Sequence, residues 1–137
     1  MPSEENGQDR GKPAVIRLKR LETVRHLSPE ELDDLPIGVI KVNRQGIVLT
    51  YNASEARLAR RNPGDVIGKN FFTEVAPCTN VQEFAGKFWR GVERGWTHEI
   101  FPFIFPFPHG TVQVSITIEY EAQDDHAWIV VEGFGRT

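Results

Sequence analysis

Apolar and polar positions change period along this chain, and those changes mark out its elements. Val112, Val114, Ile116 and Ile118 alternate with polar residues, the period of a half-buried strand. Ala127-Trp128-Ile129-Val130-Val131 follows an Asp124-Asp125 turn and reads as a further strand. Ile37 to Val42 and Gly46 to Tyr51 flank Asn43-Arg44-Gln45, a β-hairpin pattern. Trp96 to Phe107 is dense in aromatic and β-branched residues but is interrupted by prolines, with Pro108 just beyond it. Proline cannot donate to a ladder, so this segment reads as an edge strand or a bulged one.

Helical spacing appears elsewhere. Phe84, Phe88 and Val92 predict a helix over Gln82 to Arg94, ending near Gly95. Ser28-Pro29-Glu30-Glu31 carries an N-cap, a proline at the first helical position and a closing glutamate, the signature of a capping box. Asn52 caps a short helix through Arg60, which Asn62-Pro63-Gly64-Asp65 breaks. The order is two strands, short helices, a longer helix and three strands. It predicts an α+β domain, an antiparallel sheet with helices packed against it.

The N-terminal residues 1–13 are polar and read as a flexible tail. Val15 to Leu21 is amphipathic and basic, and could cap the domain, meet a partner or simply face solvent. A length of 137 residues suits one domain with one core. The net charge of -3 leaves no electrostatic footprint for nucleic acid. No apolar run is long enough to span a membrane, and no signal-peptide core is present. A cytoplasmic protein is the expectation, with no membrane and no nucleic-acid partner. His98, His109 and His126 are scattered without metal-ligand spacing.

The candidate chemistry centres on Cys78, the one cysteine in the chain. A lone thiol is either inert packing or a single point of covalent chemistry. Pro77 fixes the backbone beside it, and Thr79 or Asn80 could cap the helix that follows. A thiol at a helix N-terminus sees the positive end of the dipole, which favours thiolate. The same N–H groups could hold the carbonyl of an acyl group on sulfur. Use of Cys78 as an enzyme nucleophile is poorly supported, because no histidine lies in a recognisable motif with it. The chain is read as no enzyme.

Tyr51-Asn52-Ala53 with Glu55, then Val66-Ile67-Gly68-Lys69-Asn70-Phe71-Phe72 and Val75-Ala76-Pro77-Cys78-Thr79, resemble the photoactive yellow protein family. The resemblance runs from about Leu32 to Phe134 and takes in Phe84, Gly86-Lys87-Phe88 and Trp128. It implies a PAS fold with a central five-stranded antiparallel sheet over residues 32–137, preceded by a tail and cap over residues 1–31. It also implies blue-light sensing through p-coumaric acid held as a thioester on Cys78. Tyr51 and Glu55 would hydrogen-bond the phenolate, and Arg61 would cover the pocket. Phe71, Ala76, Thr79 and Phe105 would complete the chromophore site. A downstream partner follows from the same likeness: a kinase or phytochrome-like module in a longer chain, or a separate signalling protein. A weak homodimer is a further expectation.

Physical chemistry supports these roles independently. A buried phenolate needs strong donors, and Glu55 can donate only when protonated. Burial and a neighbouring anion both raise a carboxyl pKa. Taken alone, Glu55 could equally close a capping box with Asn52 on a solvent-facing helix. Tyr51 could be packing, Arg61 a solvated loop charge, and the row Phe101, Phe103, Phe105 and Phe107 wholly core.

Two departures from the family stand out. Ala59 occupies a position where relatives carry a threonine hydroxyl that supports Tyr51, and the 106–110 loop lacks their methionine. Slow dark recovery is expected, with His109 either a polar substitute or an exposed turn residue. The alternative function is a PAS ligand-binding or dimerisation module without the chromophore.

Overall fold

Five strands form one open antiparallel sheet in the order β2-β1-β5-β4-β3 in a computed structural model that describes residues 24–133. The strands are β1 (Gly38–Asn43), β2 (Val48–Tyr51), β3 (Trp96–Phe107), β4 (Gly110–Glu121) and β5 (His126–Gly133). The chain divides after Leu32 into two units. In the first, Ser28 and Glu31 make the reciprocal bonds of a capping box, Glu31 N to Ser28 Oγ at 3.2 Å and Ser28 N to Glu31 Oε1 at 2.8 Å. They open α1 (Pro29–Asp33). The tail over residues 1–13 and the basic stretch over residues 15–21 lie outside the described residues.

The strand that carries prolines lies at the sheet edge. β3 pairs only with β4, in unbroken register from Trp96↔Glu121 to Phe107↔Gly110. No bulge is needed. Pro102 and Pro106 are four residues apart, so both ring nitrogens face the same, unpaired side of the strand. One sheet face then collects Ile40, Val42, Tyr51, Val114, Ile116, Ile118, Ile129 and the Phe101–Phe107 row. Phe71, Phe72, Phe84 and Phe88 pack onto that face, with ring centroids of neighbouring pairs 5.0–6.0 Å apart. Burying such rings stabilises a fold by about 2–3 kcal/mol each.

The helical segments differ from expectation in two places. The region after Val81 is not one helix: a wide turn over Gln82–Gly86 precedes α3 (Lys87–Arg94). Gly95 ends α3 with φ 95, a left-handed conformation suited to glycine. Neither Thr79 nor Asn80 caps that segment. Val81 occupies the cap position without a side-chain bond, while the Thr79 hydroxyl donates to Ala76 O at 2.7 Å. A second wide turn, Phe71–Val75, was not foreseen. Asn70 caps it by accepting from Phe72 N and Thr73 N, and Glu74 accepts in return from Asn70 N at 2.7 Å.

The short helix after β2 follows its sequence signal. Asn52 accepts from Glu55 N and starts α2 (Ala53–Ala59), which stops at Arg60 in the left-handed region, φ 55. Among the described residues no helix is long and apolar enough to cross a membrane.

Candidate functional site

β2, α2, the Phe71–Val75 turn and the tip of β3 enclose a cavity of about 450 Å³. Tyr51, Glu55, Ala59, Arg61, Phe71, Ala76, Cys78 and Phe105 all line it. Residues spread over more than fifty positions are therefore brought to one enclosure. Thr79 is the exception: it is fully buried, bonded to Ala76 O, and not part of the wall.

The Glu55 end of the cavity is built around Asn52. Its Oδ1 accepts from Glu55 N at 3.1 Å and from Val39 N at 2.9 Å, while Nδ2 donates to Ile37 O at 3.0 Å. One buried amide thus fastens the start of α2 to β1, and Glu55 lies one turn into the helix. Glu55 is 2 % exposed, and its Oε1 is buried with no hydrogen-bond partner. Burial pushes the carboxyl up to about 8, so the acid is mainly protonated at neutral pH. A solvent-facing capping role for Glu55 is thereby excluded; its backbone, not its carboxylate, meets Asn52.

Tyr51 is also pushed well above the ordinary phenol range, chiefly by burial. A negative Glu55 adds to that shift and Arg61 opposes it. The Glu55 contribution operates only once that acid has ionised. Arg61 is half-buried and donates from Nη1 to Val75 O at 2.8 Å, tying the end of α2 to the turn opposite.

Cys78 sits in the short turn Pro77–Thr79 and is half-buried. The expected thiolate is not what this environment produces. Burial pushes the thiol up, and a bond from its own backbone N–H only partly offsets that. The turn is three residues long, too short to sum a useful dipole. Desolvation wins.

Two further residues shape the site. Gly38 is one: a Cβ there would land on Glu55 Oε1, so the carboxyl occupies space that only glycine leaves open. A glycine inside a strand pattern is the signal that could have flagged a close approach. His109 is another. It is not an exposed turn residue: Nε2 lies 3.0 Å from Leu58 O, and its ring stacks on Phe107. Among the described residues, no group of three or more His, Cys, Asp or Glu could hold a metal.

This enclosure agrees with what the chain is similar to. The PAS-fold family profile matches residues 29–133. Photoactive yellow protein from Rhodothalassium salexigens is 39% identical over 102 residues, 74% of this chain and 82% of that protein. Its counterpart from Halochromatium salexigens is 38% identical over 110 residues, 80% of this chain and 88% of that protein. Among solved structures, the photoactive yellow protein domain of the sensor histidine kinase Ppr from Rhodospirillum centenum superposes with TM-score 0.77 at 42% identity. That match covers 81% of this chain and 97% of the domain. With the PAS sheet, the lone cysteine and the buried glutamate in one cavity, the chain belongs to the photoactive yellow protein family and is a photoreceptor-type PAS domain.

Proposed function

We propose that this chain is a cytoplasmic blue-light receptor whose chromophore is p-coumaric acid, joined to Cys78 as a thioester. The observation that carries the reading is the state of Glu55: a fully buried, protonated acid with an unpartnered oxygen, lining the same cavity as the only thiol. A protonated carboxyl facing an apolar enclosure is a donor without an acceptor, and a phenolate is an acceptor that needs one. Tyr51, whose pKa burial raises, keeps its proton and offers a second donor. The cavity is large enough for one phenylpropenoyl group.

The chromophore would supply visible absorption and a trans-to-cis isomerisation that moves its phenolate. The protein's part is electrostatic. Glu55 would give up its proton to the displaced phenolate and be left as a buried carboxylate, with Gly38 against its Oε1 and no hydrogen-bond partner on that oxygen. Such an uncompensated charge costs several kcal/mol, comparable with the stability of a whole domain. Opening of the fold around α2 relieves that cost, and light becomes a conformational signal. Ala59 leaves the Tyr51 side of the site without a threonine hydroxyl, so the phenolate would be held by fewer donors and its colour altered, while the 106–110 loop, without a methionine, makes dark recovery slow. The receiver of the signal is proposed to be a downstream kinase module, in the same full-length chain or separate. The related Ppr domain comes from a sensor histidine kinase.

Mass spectrometry of protein expressed with activated p-coumarate tests the reading. An adduct on Cys78 accompanied by visible absorption is the expected result. A chain that takes up no adduct is instead a ligand-binding or dimerisation PAS module.

A further inference from the structure

The rim of the cavity can be told from its floor by exposure. Tyr51, Glu55, Phe71, Val75 and Phe105 are buried, whereas Arg60, Pro77, Pro106 and Pro108 are exposed. The mouth therefore lies between the end of α2 and the β3–β4 hairpin, in which Pro108 and His109 form the two-residue loop. At that hairpin tip Pro106 and Pro108 have no N–H, so neither can donate a backbone bond across the mouth. What ties it across the mouth is His109, whose Nε2 lies 3.0 Å from Leu58 O in α2. A carbonyl oxygen only accepts, so Nε2 carries the proton. Among the described residues this is the one hydrogen bond from the hairpin tip to α2.

The ring is also held from behind. His109 stacks on Phe107 with centroids 4.9 Å apart at 8°, and Phe107 stacks on Phe105 at 5.1 Å and 14°. Phe105 is 1% exposed and belongs to the core. A ladder of rings thus runs from the core to the rim and aims one donor at α2.

We propose that His109 is the clasp of the cavity mouth, a positioning residue that sets how fast a solute reaches Cys78. Its bond to Leu58 O closes the hairpin tip against α2, and the stack supplies the orientation. Breaking the bond frees the tip, and the cavity admits solute more often. The inference concerns access alone and holds whatever the cavity binds.

The chain has a single cysteine, so thiol labelling reports this site without ambiguity. The test is the rate at which 5,5′-dithiobis(2-nitrobenzoate) reacts with Cys78 in the full chain without ligand. His109→Phe keeps a stacking ring and removes the donor; it should react about fivefold faster than wild type, the equilibrium factor of one net hydrogen bond. His109→Gln retains a donor and should stay within about twofold of wild type. A wild-type rate for His109→Phe overturns the proposal, as does a His109→Gln as fast as His109→Phe. If a variant loses overall stability, amide exchange read by mass spectrometry replaces the labelling rate. Loss of the clasp raises exchange over residues 106–111 and not in β5, and uniform exchange across both refutes it.

Discussion

Glu55 and Cys78 face one cavity and shift in the same direction, yet they end in different chemical positions. Glu55 is sealed under Gly38, carries an oxygen with no partner and is held near 8. Cys78 stands half-buried toward the rim, and its own backbone N–H gives back part of what burial takes. The glutamate starts from 4.5, so the shift carries it across neutrality and changes its protonation state. The thiol starts from 9.0, so a shift upward leaves it the neutral thiol it already was. Burial of the same kind is therefore a switch at one end of the cavity and a safeguard at the other. Either half of that contrast can be broken by substitution.

The largest effect is expected from Glu55 itself. An acid whose folded pKa exceeds its unfolded value binds its proton more tightly when folded. Its contribution is fully present below about 4.5 and is lost as pH rises from there to about 8. At about 1.4 kcal/mol per unit that loss is on the order of 5 kcal/mol. Glu55→Gln cannot ionise and should flatten this part of the stability profile. Urea midpoints of the full chain from about pH 5 to pH 8, measured in the dark, give the comparison. A variant that loses stability with pH as steeply as wild type would show that Glu55 is ionised in the fold.

Asn52 comes next. Asn52→Ala removes the cap of α2 and leaves Val39 N–H, inside the sheet, without its acceptor. A lost cap costs about 1 kcal/mol and a buried unpaired N–H about 1–3 kcal/mol. A loss of about 3 kcal/mol at all pH values is expected, in contrast to the pH-dependent effect at Glu55. Chemical denaturation at two pH values separates them.

Gly38→Ala strikes the seal rather than the acid. The new methyl meets Glu55 Oε1, and overpacking of this kind costs about 1–3 kcal/mol. Combining it with Glu55→Ala removes the atom it collides with, so the double variant should lose less than the sum of the two. Additive losses would mean the carboxyl is not against Gly38.

These sites also show how far the sequence could be read. The strands were legible because alternation is a local signal, and the prolines in β3 narrowed it to an edge or a bulged strand before any pairing was known. The caps at Ser28 and Asn52 were legible for the same reason: each acts within three residues of itself. The wide turns at Phe71–Val75 and Gln82–Gly86 were not, since Phe84 and Phe88 suit either a wide turn or a continuous helix. The cavity residues could be named from motifs, but their state could not. Desolvation is a property of everything packed around a group, which is why the local dipole argument at Cys78 pointed the wrong way. Likewise the His109 contact joins residues 51 apart, and Gly38 matters only because α2 brings Glu55 beneath it.

The smallest effect tests the other half of the contrast. In the unmodified chain, the rate of Cys78 alkylation by iodoacetamide should rise with pH to a midpoint above the ordinary 9.0 of a thiol. Pro77 and Thr79 flank it in a turn of three residues, so no extended helix stands behind the sulfur to lower that value. A midpoint below 9.0 would mean that the surroundings favour the thiolate, so that burial does not keep Cys78 neutral as it keeps Glu55. A midpoint above it means that any acyl group placed on Cys78 must come from a donor activated in advance, because at neutral pH this sulfur is a poor nucleophile by itself.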